Sequence, residues 1–410
     1  PFGWRIIGTL FGIAMVPVIY LFARRICKST VLSSLACLLF AFDFMHFTQT
    51  RIATIDVYVT FFVILMYYFM YQYSTLSFYD TPLKKTWLPL GACGVCMGLG
   101  IASKWTGVYA GIGLAMIFFY VLYRRYMEYV YAKKKPKGTT DGISHKNILK
   151  RFLPYTRKTI YFCLIFFVLV PALIYLLSYI PFRDYSDRGL VDRMIQNQNT
   201  MFGYHSTLES THDFSSVWYE WPVLKRPIWF HSHIVTTTLL GGLREGISSF
   251  GNPAVWWTGI PAALFMAYLW ARKKDRTAAF LVVGYLAQYL PWFFVSRITF
   301  IYHYFPSVPF VVLMITYGLG QWDRRLAACP EKSRAVKGEK AAFYATAALY
   351  GALAFGLFLL FYPVLSGQPV EAYYVSKYLR WFKTWVLTAK ANASPAYIHI
   401  LFNTARSLGM

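Results

Sequence analysis

Charge is what this 410-residue sequence has least of: Asp, Glu, Lys and Arg together make up 14% of it. A soluble domain carries roughly 25%, so an ordinary water-facing surface is excluded. Acidic residues are scarcest, 17 Asp and Glu against 41 Lys and Arg. There is no internal repeat and no Gly-rich phosphate loop. Alternating strands of about ten residues are missing too, which excludes an outer-membrane type of barrel. Cysteine is sparse and scattered, at Cys27, Cys37, Cys93, Cys96, Cys163 and Cys329, so no disulfide framework is implied. The CGVC of residues 93–96 lies inside the apolar, glycine-rich run LGACGVCMGLG. There it places small side chains near one helix face and reads as helix packing rather than a redox or zinc motif. No His/Glu spacing suggests a metal, no Ser-His-Asp arrangement is readable, and no cofactor is called for.

What the sequence does have is grease. It is 57% hydrophobic and 20% aromatic, and apolar runs of about 20 residues, each long enough to cross a bilayer as a helix, recur throughout. The fold class is all-α: a polytopic integral membrane protein of about ten spans, placed near 6–23, 30–47, 57–74, 87–103, 107–123, 159–181, 253–271, 277–296, 302–320 and 342–364. The net charge of +24 follows this topology. Alternate connectors, those with Arg24 to Lys28, Lys84 and Lys85, Arg124 to Lys158, Arg272 to Arg276 and Arg324 to Lys340, hold roughly 26 of the 41 basic residues and about 7 of the 17 acidic ones. Positive charge concentrates inside, so these connectors are expected on the cytoplasmic side, where they can also touch anionic lipid heads. Nucleic acid is not an expected partner. With this count of spans both ends face outside, and the sequence opens at Pro1 on the verge of a span. Both points lead to the expectation that it is the remainder of a longer protein.

Residues 1–182 form an amino-terminal transmembrane module. Residues 183–252 form an external aromatic-rich loop, helically patterned at first and then reading SSVWYEWPVLKRPIWF. Residues 253–370 make a carboxy-terminal transmembrane module of four-helix type. Residues 371–410 are an external tail, where VEAYYVSKYLRWFKTWVL resembles an interfacial helix.

The polar residues at membrane depth gather on the outer side. FDFMHFTQTRIATID, residues 42–56, brings Asp43, His46, Arg51 and Asp56; SKWTG brings Lys104 and Trp105; the end of the eighth span brings Arg297; ITFIYHYFP brings His303 and Tyr304. Ionisable groups at that depth are costly and usually face a bundle interior or a watery cavity. Each has a structural alternative. Arg51 and Asp56 can pair across a turn, Lys104 can snorkel to the head groups, His46 can be a packing histidine, and Arg297 or His303 can anchor an interface. Asp43, His46 and Thr50 share a face if the second span stays helical through them. Together the group suggests an external, cation-lined cleft suited to a lipid-linked phosphate, with a greasy tail between spans. A membrane enzyme using a polyprenyl-phosphate donor leads over an anion transporter, since inverted repeats are not seen.

PFGWR, FDFMHFTQTRIATIDVY, SKWTGVY, SSVWYEWPVLKRPIWF, GNPAVWW and RITFIYHYFPSVPF, in that order, resemble the protein O-mannosyltransferases of the GT-C glycosyltransferase class, bacterial type. The resemblance runs to about Trp385 and lacks the β-trefoil domain that eukaryotic members insert in the external loop. It implies an inverting transfer of mannose from polyprenyl-phosphate mannose to Ser or Thr hydroxyls of an exported protein, on the outer face of the cell membrane, with possible coupling to the secretion machinery. By position, Arg51, Lys104 and Arg297 are expected to bind the donor phosphate. Asp43, His46, Asp56, Trp105, His303 and Tyr304 are expected to line or orient the cleft, and Trp218, Trp221 and Arg226 to form an acceptor side. The family's catalytic aspartate belongs to an Asp-Glu pair in its first external loop, followed by a His-Pro-Pro-type motif. Neither motif occurs here. The resemblance therefore implies a missing first span and first external loop, eleven spans in a complete member, a general base upstream of Pro1, and no activity as the chain stands. The alternatives are another GT-C enzyme with a lipid acceptor, or a non-catalytic scaffold or transporter.

Overall fold

A computed structural model describes residues 2–134, 142–181, 189–207, 211–236, 242–328 and 334–388. The expected boundary at Arg183, Cys329 and the tail beyond 388 lie outside these residues.

The chain begins with α1 (Phe2–Cys27), α2 (Thr30–Ala41), a short α3 (Phe44–Gln49), α4 (Asp56–Thr75), α5 (Leu83–Ser103) and α6 (Gly107–Lys134). Next come α7 (Gly142–Leu164), a π turn over Ile165–Leu169, α8 (Val170–Leu177) and α9 (Leu190–Thr207). β1 (Ile228–Ile234) and β2 (Leu243–Ser249) precede α10 (Pro253–Lys273), α11 (Arg276–Tyr289), α12 (Val308–Ala327) and α13 (Arg334–Ser366), and β3 (Val370–Glu371) follows. Among the described residues eight helices are long and apolar enough to cross a membrane. The span made by α7 and α8 is the most lipid-facing, with 6% of its most apolar window buried.

Local chemistry sets the helix ends. Ser29 caps α2 by accepting from Leu32 N, and Asn252 caps α10 ahead of Pro253, whose missing N–H costs nothing at that position. Asp275 caps α11 through Thr277 N and Ala278 N. The π turn lies just before Pro171, which has no N–H to give the carbonyl four residues back, so the ladder slips there.

α5 packs against the π turn and α8 through its glycines. A Cβ on Gly94 would strike the Phe166 carbonyl, and one on Gly98 would strike Pro171 and Ile174. Cys93 and Cys96 on the same helix are buried free thiols, in keeping with close packing of small side chains.

Three features depart from the sequence reading. The expected span over 30–47 breaks at Phe42, so Asp43, His46 and Thr50 do not continue one helix. Asp43 instead becomes the N-cap of α3, taking Met45 N and His46 N on its own carboxylate, a local bond that competes with helix continuation. The segment between α9 and α10 is not wholly helical and irregular. Residues 228–234 pair antiparallel with 243–249, with a bulge near Trp229, and β2 pairs in turn with β3. Finally, the tail helix is confined to Ala372–Tyr374 and a π turn over Val375–Leu379. The chain then turns inward, and Trp385 is fully buried with its Nε1 donating to Leu224 O at 2.7 Å.

Candidate functional site

The polar cleft is built where helix ends meet. Asp56 is the first residue of α4, and Lys104 immediately follows α5 with its own N–H bonded to Gly100 O. Helix N-termini favour anions and C-termini favour cations, so both charges sit where the backbone supports them. Lys104 Nζ donates to Asp56 Oδ1 at 2.7 Å, with side-chain exposures of 17% and 7%. Lys104 Nζ also lies 5.8 Å from the centre of the Tyr302 ring.

Arg297 enters from the turn between α11 and a 3₁₀ segment over Ile301–Ser307. Its guanidinium reaches the Ile298 carbonyl, and among the described residues no carboxylate pairs with it. His205, in the last turn of α9, faces both cations. Although its side chain is largely exposed, partial desolvation lowers its pKa from the ordinary histidine value, and the positive charges of Arg297 and Lys104 lower it further. The cleft therefore sets two fixed cations against one carboxylate, beside an imidazole biased toward neutrality. The excess positive charge of such an arrangement favours an anion.

A polar wall continues the cleft toward α9. Trp105 Nε1 donates to the Tyr175 hydroxyl at 3.0 Å, and Gln198 Nε2 on α9 reaches the hydroxyls of Tyr175 and Tyr179 at 2.5 and 2.6 Å. This ties the end of α5, α8 and α9 together.

The other nominated residues make contacts of their own. Arg51 makes no ion pair with Asp56 among the described residues. Its guanidinium stacks on Phe47 at 4.6 Å and donates to Leu365 O and Ser366 O, closing the end of α13. Asp43 is fully buried; besides capping α3, its Oδ2 accepts from Asn252 N and Trp256 Nε1, each at 3.0 Å. His46 bonds Gly12 O at 3.1 Å and packs on Phe40. His303 is buried between Trp221, Trp292 and Tyr302, with Nδ1 against the Phe300 backbone. Tyr304 meets the Tyr285 hydroxyl at 2.8 Å.

On the expected acceptor side, Trp221 is fully buried and bonds Ser216, whereas Trp218 packs on Tyr289 and Phe293. Arg226 staples the loop through Asp213 O and Ser215 O. Sequence reasoning missed His205, Tyr175, Gln198 and Tyr302. Tyr302 was within reach, since it adjoins the nominated pair in ITFIYHYFP. Which of three consecutive aromatics faces the cleft depends on the 3₁₀ register, which period-based reading does not resolve.

Two family models cover nearly all of the described chain. Residues 1–185 match the dolichyl-phosphate-mannose-protein mannosyltransferase model, and residues 190–385 match the C-terminal four-transmembrane region of protein O-mannosyltransferase. The chain belongs to the protein O-mannosyltransferase family. It is thus a membrane glycosyltransferase of the GT-C type, as its sequence blocks suggested. The polyprenol-phosphate-mannose–protein mannosyltransferase of Mycolicibacterium smegmatis is 25% identical over 90% of this chain and 75% of that protein. The Corynebacterium glutamicum protein of the same name is 25% identical over 94% of this chain and 77% of its own length. Among solved structures, the Saccharomyces cerevisiae protein O-mannosyltransferase Pmt1-Pmt2 complex bound to the sugar donor superposes with a TM-score of 0.71. That match covers 93% of this chain and 80% of the yeast chain at 12% identity, a likeness of fold.

Proposed function

We propose that this protein O-mannosyltransferase takes mannose from polyprenyl-phosphate mannose and gives it to Ser or Thr hydroxyls of exported proteins, at the outer face of the cell membrane and in step with secretion. The observation that carries the reading is the Asp56–Lys104 pair with Arg297 and His205 at one mouth of the bundle. In the transfer the acceptor oxygen bonds to the anomeric carbon from the side opposite the phosphate. The carbon–phosphate oxygen bond breaks with inversion, and the hydroxyl proton passes to a base. Negative charge builds on the departing phosphate, so cations aimed there stabilise the transition state more than the ground state. Lys104 and Arg297 supply that charge. Asp56 keeps the Lys104 ammonium in place, and Trp105, through Tyr175, holds the loop helix over the cleft. Arg51, committed to the end of α13, supports the wall rather than the phosphate.

Binding is the decisive measurement, because it does not depend on the base. Purified protein in detergent should bind polyprenyl-phosphate mannose, and Lys104→Met should weaken that binding about tenfold or more, the worth of one charge-assisted contact. Binding unaffected by Lys104→Met overturns the site. In membranes of cells that make the protein, labelled mannose should reach a Ser/Thr peptide; label passing only to a lipid acceptor overturns the acceptor assignment.

A further inference from the structure

α4 begins in the cleft at Asp56 and ends at Thr75, 20 residues on, a rise of about 30 Å. Its last turn borders a separate cavity of ≈650 Å³, closed on the far side by α6 and the α10–α11 junction. This end of the bundle carries basic connectors, with Lys133 and Lys134 ending α6 and Arg272 and Lys273 ending α10.

Arg124, Arg125 and Arg276 line the cavity against a single carboxylate, Glu128. Arg124 takes that carboxylate at 3.5 Å, and among the described residues no acid pairs with Arg125 or Arg276. Arg125 is 5% exposed. One guanidinium nitrogen donates to the Tyr73 hydroxyl, the plane lies 3.9 Å from the centre of the Phe78 ring, and Nη2 is buried with no acceptor. A buried, charged donor left unsatisfied costs stability until an acceptor arrives. The lining changes character toward the bilayer: Met116, Tyr120 and Trp270 are exposed on the outer surfaces of α6 and α10. The cavity thus has a cationic floor and a greasy side door.

We propose that this cavity is a second lipid site, at the opposite end of the bundle from the donor cleft. It takes the phosphate of an anionic phospholipid head group on Arg125 and Arg276, and the acyl chains leave past Met116 and Trp270 into the adjoining leaflet. Neutral solutes do not answer the unsatisfied Nη2 of Arg125, and the sideways opening suits a lipid better than a soluble anion. Basic pockets between spans, next to polybasic connectors, recognise head groups by this combination of fixed charge and local potential. The site shares no residue with the donor cleft and stands whether or not that reading holds.

The test uses the full chain purified in neutral detergent. Phosphatidylglycerol, phosphatidylcholine and inorganic phosphate are titrated separately, with binding read by native mass spectrometry. Phosphatidylglycerol should bind at least tenfold more tightly than phosphatidylcholine, and Arg276→Gln, on an exposed side chain, should reduce that preference about tenfold. Arg125→Gln should do the same, and its thermal unfolding profile distinguishes lost binding from lost fold. A diazirine-bearing phosphatidylglycerol should crosslink to the α6 peptide around Met116 or the α10 peptide around Trp270. Equal binding of the two lipids overturns the proposal, as does phosphatidylglycerol affinity unchanged in well-folded Arg276→Gln. Displacement of the lipid by millimolar inorganic phosphate would also overturn it, because a bare anion would then suffice.

Discussion

Replacing Lys104 by Met tests the core of the cleft, because the change keeps a flexible unbranched side chain and removes the ammonium with its charge and its donated bond to Asp56. At 2.7 Å the gross attraction between Lys104 and Asp56 is about 6 kcal/mol at an effective dielectric near 20. Most of this is offset by desolvation, since the two side chains are 17% and 7% exposed. Removing one partner of a well-buried pair costs about 3–5 kcal/mol. Here the orphaned Asp56 still sits on the N-terminus of α4, which returns about 0.3–1 kcal/mol. Lys104→Met should therefore destabilise by about 2–4 kcal/mol. Asp56→Asn alone should cost less, because the freed ammonium can reach water. The double variant should recover about 1–2 kcal/mol relative to the sum of the singles. Chemical unfolding in mixed micelles, followed by tryptophan fluorescence, measures all three. Additivity within about 0.5 kcal/mol would show the pair to be an uncoupled surface contact and would remove the basis for a preorganised cation at the donor phosphate.

Asp43→Ala strips an acceptor from four buried donors, Met45 N, His46 N, Asn252 N and Trp256 Nε1. It should cost about 3–5 kcal/mol in the same unfolding assay, and Asp43→Asn, which keeps one oxygen, distinctly less. Gly94→Ala pushes a methyl into the Phe166 carbonyl and should destabilise by about 1–3 kcal/mol, whereas Gly356→Ala, with open space around it, should not. His205 has its pKa lowered from 6.5 in the folded protein, so between the folded and unfolded values the unfolded chain binds more protons. Stability should accordingly fall as pH drops below about 6.5, and His205→Gln should remove that part of the slope in melts recorded across the range.

Much of the helical architecture was legible because long apolar runs are whole-segment signals, insensitive to detail. Lys104, Asp56 and Arg297 were likewise legible as charges that a membrane boundary does not tolerate without purpose. Their partners were not. Asp56 takes Lys104, 48 residues on, rather than Arg51 five residues away, because the pairing is decided by which helix ends abut. The break at Phe42 hides in an apolar run where a single carboxylate outbids the helix for two amides. The strands at 228–234 and 243–249 hide because IWFHSHI and LREGISS mix polar and apolar residues without clean alternation.

Asp43 belongs to the stretch matched by the first family model, and Asn252 and Trp256 to the stretch matched by the second. Their shared carboxylate makes the two stretches a single mechanical piece at this point. Anyone building hybrids between this chain and a relative by exchanging everything after residue 190 should treat positions 43, 252 and 256 as one inherited unit. A recipient whose position 43 carries no acceptor will leave an indole and an amide stranded in the core, however well the two parts suit one another elsewhere.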